Sequence, residues 1–372
     1  MSNASFDEQE QKTSDEISDL KESSFNEDDS PDLIPPSDVI AYNELRSCAD
    51  LFRMYEKDRL LIDPDFQRDF IWENPMQTRF IDSLIKSLPI PSMCIALDNA
   101  TDKRTVIDGR QRISTIVRFL EERKKPWRLS KLDDINPIIS GKTPKQIKDK
   151  NRKYFDRVEE QILPITVLRY DKGKKNHMNY IFKIFHRLNT VGKPLKNQEI
   201  RNCIYGGPLN DLLRNLDQLP EWRHLNRMKP DDNYRFLKQE LILRFFAFFY
   251  QEKEIYTEGM AKFLNNFMSE HRDDDEDLLQ ERERIFKRVV LLLFSKIFNG
   301  KEPEENISAN VLYPVMVGIA KNIDVLEKTQ SLELSNRYRT LIQSEAFADK
   351  ANLANTTIVK NRLQAAEDTF GL

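Results

Sequence analysis

The chain has 372 residues, of which 39% are apolar and 32% are charged. This length allows two domains, and the charged fraction is above the usual quarter. No apolar run approaches the roughly 18 residues of a transmembrane helix, so the sequence predicts a protein without a membrane span. The three cysteines lie far apart, which argues against a disulfide framework and a cysteine-based zinc site and favours a cytoplasmic location.

The charge is unevenly distributed along the chain. Residues 1–40 contain 12 acids and two bases, whereas residues 41–372 contain 49 acids and 56 bases. The first segment has few apolar residues, so it cannot bury enough surface to offset its ordering entropy. We predict a disordered acidic tail over 1–40, which acts either as a solvated leader or as a screen that keeps nucleic acid from a basic groove.

The remaining chain divides into two patterns. Strands are predicted at 60–62, 93–97, 105–107 and 162–170, and helices at 42–55, 75–88 and 113–120. After residue 206 the strand pattern disappears, and helices are predicted at 234–250, 261–269, 278–298, 311–326 and 357–369. The sequence therefore predicts an α/β (α+β) domain over 41–205, followed by an all-helical domain over 206–372.

The most informative segment is Val106–Arg112, between a predicted strand and a predicted helix. Asp108 and Gln111 have the spacing of a capping box, which predicts Asp108 as the N-cap of the helix. Arg110 and Arg112 then face the positive end of the helix dipole, at a cost of about 0.3–1 kcal/mol each. Helix N–H groups and two guanidinium groups together favour an anion. We interpret the turn as a phosphate or nucleotide site; the alternative is that the arginines have only a surface role.

Two further segments combine polar and aromatic residues. Pro64–Trp72 reads P-D-F-Q-R-D-F-I-W and follows a short strand. Asn189–Leu195 reads N-T-V-G-K-P-L, a pattern that also fits a helix C-cap followed by a turn. Each segment alone is a weak signal.

With the D-G-R-Q-R box at 108–112, these segments resemble the N-terminal domain of GmrSD-type restriction endonucleases, a ParB/sulfiredoxin-like family. That family has a P-x-[YF]-Q-R-x-[YF]-x-W stretch, a DGQQR box that opens a helix, and an N-T-x-G-x-x-L turn, in the same order. The resemblance covers roughly residues 45–205. It implies a ParB/sulfiredoxin-like fold for the α/β domain.

The resemblance also implies an NTP-binding and NTP-hydrolysing domain in a DNA restriction and anti-phage defence system. By position in the motifs, the expected catalytic residues are Asp108, Gln111 and Gln67. The residues expected to bind the nucleotide phosphates are Arg68, Gly109, Arg110, Arg112 and Asn189. The expected cofactor is an NTP with Mg²⁺, for which Asp108 or Asp65 is a candidate ligand. The expected partners are DNA and a separate nuclease subunit.

One position departs from the family box, because Arg110 stands where the family usually has Gln. The additional cation strengthens phosphate binding, but it also replaces a residue that could orient the attacking water. The competing hypothesis is therefore a non-catalytic DNA-binding or modification-sensing subunit, in which the same arginines contact DNA phosphates. No histidine follows His271, so we expect no C-terminal HNH nuclease site.

A basic segment, Lys142–Arg157, lies later in the α/β domain. Its cations are interleaved with Tyr154 and Phe155. The pattern predicts either a solvated amphipathic helix or a face that contacts the nucleic-acid backbone.

Overall fold

The structure is a computed structural model that describes residues 35–62, 72–121, 127–188, 195–229, 236–251, 256–257, 259–348 and 356–371. Within this part of the chain, one compact unit ends at Pro194 and a second begins at Leu195. The first unit combines a sheet with helices and the second is helical, which confirms the predicted fold class. None of the described helices has both the length and the apolar character needed to cross a bilayer.

The described residues of the first unit form a five-stranded mixed sheet. The strands are β1 (Ile40–Ser47), β2 (Leu60–Leu61), β3 (Met93–Asp98), β4 (Arg104–Asp108) and β5 (Ile162–Tyr170). Their order is β1-β5-β3-β4-β2. The pairs β1/β5 and β3/β4 are antiparallel, and β3/β5 and β2/β4 are parallel. The long strand β1 and the two-residue strand β2 therefore lie at opposite edges.

Helices cover the sheet and bury its apolar side chains. The helices of this unit are α1 (Cys48–Glu56), α2 (Asn74–Ile85), α3 (Arg110–Leu120), α4 (Pro144–Lys150), α5 (Arg152–Glu160) and α6 (Lys175–Leu188). Ile81 of α2 and Ile116 of α3 are fully buried in one core with Ile165 and Val167 of β5. This core fixes α3, and with it the turn that precedes α3.

The helix predicted over 42–55 is wrong in its first half. Residues 40–47 form strand β1, and α1 begins only at Cys48, where the Ser47 hydroxyl accepts a hydrogen bond from the Asp50 N–H (3.0 Å). Leu45 fits the apolar spacing of the helix that follows, yet its side chain is 71% exposed. Because most of β1 is exposed, it lacks the alternation of apolar and polar residues that marks a half-buried strand.

The second unit is built from helices α7 (Asn197–Ile204), α8 (Pro208–Leu216), α9 (Pro220–Leu225), α10 (Leu237–Tyr250), α11 (Met260–His271), α12 (Glu276–Leu292), α13 (Ala309–Lys321), α14 (Ile323–Leu326), α15 (Ser331–Ile342), α16 (Glu345–Ala348) and α17 (Thr356–Phe370). The helix predicted over 278–298 ends in a π-helical turn, Leu293–Ile297. The helix predicted over 311–326 is divided at Asn322. All five helical segments predicted after residue 206 are present.

The interior of this second unit contains a buried ion-pair cluster. Glu240 of α10 accepts hydrogen bonds from Arg201 of α7 (2.9 Å) and from Arg244 one turn along α10 (2.7 Å). All three side chains are buried. Burial opposes ionisation of the carboxyl group, but the two guanidinium groups hold the pKa of Glu240 below its usual value. Asn265 of α11 also accepts a bond from Arg201 Nε (2.9 Å), so the cluster joins three helices.

Candidate functional site

The candidate site is a tight connection between β4 and α3. The strand ends at Asp108, the helix begins at Arg110, and Gly109 alone reverses the chain direction with φ at +88°. A Cβ atom on Gly109 would lie 2.4 Å from Cγ of Met93 on β3. Glycine is needed here for two reasons: its backbone is left-handed, and the buried Met93 leaves no room for a side chain.

The predicted capping box is wrong. The N-cap of α3 is Gly109, whose carbonyl accepts a hydrogen bond from the Ile113 N–H (2.9 Å). No side chain of the described residues caps this helix. Asp108 still belongs to the sheet, so its carboxylate lies one residue too early to act as the cap. The uncapped first turn presents N–H groups and the positive end of the helix dipole, an arrangement that binds anions.

Asp108 instead forms an ion pair with Arg112, which lies in the first turn of α3. Oδ2 of Asp108 accepts a hydrogen bond from Nη2 of Arg112 (2.9 Å), and Nη1 of Arg112 donates to the Pro91 carbonyl (2.5 Å). Burial lowers the pKa of Arg112, and the charge of Asp108 acts against that shift. Oδ1 of Asp108 accepts no hydrogen bond from the described residues. The ion pair therefore leaves one carboxylate oxygen available beside the turn.

Arg110 has a different environment. Its side chain is 9% exposed, and its guanidinium carbon lies 5.9 Å from the ring centroid of Phe185 on α6. Arg110 and Arg112 are two positions apart on α3 and therefore point in different directions. The predicted joint role of the two guanidinium groups on one phosphate stays a prediction. With Asp108, the three side chains carry one net positive charge.

Gln111 connects the turn to the end of the first aromatic motif. Its Oε1 accepts a hydrogen bond from the Trp72 N–H (3.4 Å). The Trp72 carbonyl accepts from Nε2 of Gln77 (2.7 Å), and Oε1 of Gln77 accepts from Nη1 of Arg118 (2.8 Å). Arg118 also lies over the Trp127 ring, 4.6 Å from its centroid. This chain of contacts fixes the amide of Gln111 next to the turn.

Sequence reasoning missed Gln77 and Arg118 as residues that position the site. Arg118 lies seven residues after Gln111, on the same face of α3, and this spacing was the one available signal. The contact between Arg118 and Gln77 joins residues 41 positions apart. A single sequence contains no periodicity that reports such a contact.

Three predicted site residues lie outside the described part of the chain. Gln67 and Arg68 belong to residues 63–71, and Asn189 belongs to residues 189–194. Asp65, a candidate metal ligand, belongs to the first of these segments. The described residues contain no group of three His, Cys, Asp or Glu side chains that could hold a metal ion. A single carboxylate such as Asp108 still suits Mg²⁺, which keeps several waters and binds largely through nucleotide phosphates.

Part of the chain matches a known protein family. Residues 48–206 match the family described as GmrSD restriction endonuclease, N-terminal domain. Neither curated proteins nor solved structures give a significant match to this chain. The matched segment contains the turn at 108–112 and ends just after α7. Over residues 48–206, the match agrees with the resemblance that the three motifs indicate.

Proposed function

Since residues 48–206 match the GmrSD restriction endonuclease N-terminal domain family, we propose that this protein is the NTP-binding component of a DNA restriction system that acts against phages. The observation that carries the proposal is the uncapped first turn of α3, which follows directly on Asp108 and Gly109. An anion at this position meets helix N–H groups and a net positive set of side chains. The proposed ligand is the phosphate chain of the nucleotide.

In this proposal each described residue of the box has a separate role. Gly109 permits the sharp turn that opens the helix, and the first N–H groups of α3 bind a phosphate oxygen. Arg112 holds Asp108 in place, and Arg110 adds positive charge from within the fold. Each group acts by position and charge, which is what phosphoryl transfer mainly requires of a protein.

Hydrolysis requires a positioned water in addition to bound phosphates. Gln111 has its amide oxygen bonded to the Trp72 N–H, so its amide nitrogen is the group that would donate to a water or a phosphate oxygen. Oδ1 of Asp108 is the second group at the turn that can orient a water or bind Mg²⁺. The metal ion would supply charge neutralisation on the phosphates. We propose that Asp108 and Gln111 together position the attacking water.

Phosphate release tests this proposal. The full chain with Mg²⁺ and each of ATP, GTP, CTP and UTP should release phosphate from at least one of them. Asp108→Asn should lower the rate about 100-fold, because it removes the charge of a group that acts on the water or the metal. Asp50→Asn is the matched control, since Asp50 also pairs with an arginine a few residues later, Arg53, and it should keep the wild-type rate.

Removal of Mg²⁺ by a chelator should abolish release, and calorimetry should show that the nucleotide no longer binds with the same affinity. The proposal is wrong if no NTP is turned over and none binds in calorimetry. Binding without turnover would retain the binding role and reject hydrolysis.

A second candidate function is the non-catalytic DNA-binding subunit. The observation that favours it is the surface of α4 and α5, where Lys145, Lys150 and Lys153 are exposed. Two neighbouring cations are already engaged, because Lys148 lies over the Phe155 ring and Arg152 pairs with Asp156 (2.6 Å). The three exposed lysines form the basic face, a surface suited to the DNA backbone.

Salt dependence measures the contribution of the basic face. Changing Lys145, Lys150 and Lys153 to Gln should reduce the slope of log K against log salt by about 3, because each phosphate contact contributes roughly 0.9. Lys57→Gln with Lys103→Gln is the control, since both lysines are exposed elsewhere in this unit. An unchanged slope would remove the basic face from the interface. DNA binding that is lost in Arg112→Ala, with no NTP turnover, would favour this second function.

A further inference from the structure

The two edges of the sheet differ in how well they are protected against pairing with a further strand. The edge strand β2 has only two residues, and a strand this short offers little backbone for pairing. The opposite edge, β1, has eight residues in unbroken register with β5, from Ile40 opposite Arg169 to Ser47 opposite Ile162. No strand of the described residues pairs with its outer side.

The outward backbone groups of β1 can be assigned from one hydrogen bond. The Cys48 N–H donates to the Gln161 carbonyl (3.0 Å), which continues the β1/β5 register by one pair. Hydrogen-bonded pairs alternate along an antiparallel ladder, so the even-numbered residues of β1 bond to β5. The odd-numbered residues from 41 to 45 therefore direct their N–H and C=O groups away from the sheet. Ser47 directs only its N–H outward, because as the N-cap its carbonyl accepts the first bond of α1.

The side chains at this edge include exposed apolar residues of the kind that favour pairing with another strand. Leu45 is 71% exposed, and Ile162, at the end of the neighbouring strand, is 57% exposed. Natural edge strands are usually blunted by lysine, proline or a bulge. Strand β1 contains neither lysine nor proline, its register with β5 shows no bulge, and its two charges, Glu44 and Arg46, neutralise each other in a pair within the strand (2.8 Å). An edge of this length and composition favours pairing with another strand.

We propose that β1 pairs antiparallel with β1 of a second copy of this chain, about a two-fold axis at Leu45. In this register Leu45 lies opposite Leu45 of the second copy. Glu44 lies opposite Arg46 of the second copy, and Arg46 opposite its Glu44. The outer pair on each side is Asn43 with Ser47. Two five-stranded sheets thereby become one continuous ten-stranded sheet.

Charge complementarity selects this register from its alternatives. The outward N–H and C=O groups of the two β1 strands can bond to each other only when the odd-numbered residues of one copy lie opposite odd-numbered residues of the other. An axis at Asn43 meets this condition, but it puts Glu44 opposite Tyr42 and Arg46 opposite Ile40. The axis at Leu45 instead opposes two acid–base pairs and one apolar pair, each of which stabilises a strand pairing. Because α1 begins at Cys48, the paired stretch is limited to residues 43–47.

The short paired stretch predicts a weak dimer. A contact of five residues on each strand lies at the low end of specific interfaces, so we expect a dissociation constant in the micromolar range. The proposal is independent of nucleotide binding, since β1 contains none of the residues assigned to the phosphate site.

Sedimentation analysis of the full chain over a concentration series tests the dimer. The wild type should shift from monomer to dimer at micromolar concentrations. Leu45→Lys should raise the dissociation constant at least about tenfold, because two lysines then oppose each other. Leu332→Lys is the matched control, since Leu332 is 70% exposed on α15, and it should leave the dimer unchanged. Circular dichroism should show the same secondary structure in both variants.

Disulfide cross-linking tests the register. A hydrogen-bonded antiparallel pair has its Cα atoms about 5.5 Å apart, a distance that a disulfide can span. Leu45→Cys should therefore form a cross-linked dimer on mild oxidation. Ala41→Cys, also exposed on β1, lies opposite residue 49 of the second copy in this register and should not cross-link. The proposal is overturned if the wild type is monomeric at all concentrations, or if it dimerises without any effect of Leu45→Lys or Leu45→Cys.

Discussion

Replacing Glu240 by Gln should lower the unfolding free energy of the second unit by about 3–5 kcal/mol. Glu240 is the carboxylate that bridges Arg201 and Arg244, and all three side chains are buried. Gln keeps the size and one hydrogen-bond acceptor but removes the negative charge. Two guanidinium groups would then remain in the interior without that carboxylate. Urea unfolding of the full chain, followed by circular dichroism, measures the effect.

Glu333→Gln is the matched control for this measurement. Glu333 also pairs with an arginine four residues later, Arg337, but its side chain is largely exposed. Exposed pairs contribute about 0–1 kcal/mol, so the control should stay near the wild type. If Glu240→Gln does not fold, the double variant with Arg201→Gln should recover part of the stability, because it removes one buried cation. Equal effects of Glu240→Gln and Glu333→Gln would contradict the role assigned to the buried cluster.

Replacing Gly109 by Ala should destabilise the first unit by roughly 2–5 kcal/mol. The left-handed backbone contributes about 1–2 kcal/mol to this cost. Overpacking against Met93, which is 1% exposed, contributes about 1–3 kcal/mol more. Because Gly109 opens α3, the same change should also weaken nucleotide binding. Thermal unfolding and calorimetry with the nucleotide measure the two effects separately.

Gly300→Ala measures the cost of a left-handed backbone without a steric clash. Gly300 has φ at +69°, but a Cβ there meets no described atom within 4 Å. It should therefore show the conformational cost alone. Met93→Ala combined with Gly109→Ala should be less destabilised than the two single changes together, since it provides room for the new methyl group. An effect of Gly109→Ala no larger than that of Gly300→Ala would mean that Met93 does not restrict this position.

The sheet interior was predictable because β3 and β5 are each a nearly continuous run of apolar residues. Strand β5 begins and ends where the apolar run predicts, at Ile162 and Tyr170, and β3 extends only one residue past its predicted end. Strand β1 was not predictable in this way. Its exposed side chains follow no period of two, and Leu45 matches the helical spacing of α1 by coincidence.

In the candidate site, too, the features set by neighbouring residues were predictable, and those set by residues far apart in the sequence were not. Its place between a strand and a helix follows from the local pattern at 106–113. The N-cap could not be read from spacing, because Asp108 and Gln111 have the interval of a capping box whether or not Gly109 adopts a left-handed conformation. The contact of Arg110 with Phe185 depends on how α6 packs, and no local pattern reports it.

The position of α7 means that residues 48–206 cannot be transferred to another protein without disturbing the second unit. Residues 48–206 match one family, yet α7 at the end of this segment folds with the second unit and supplies Arg201 to its interior. A recombination event that moved the matched segment alone would separate Arg201 from Glu240 and leave each charge without that partner. We therefore expect gene fusions that involve this domain to retain its own helical unit, or to replace it with one that offers a buried acid at the equivalent place.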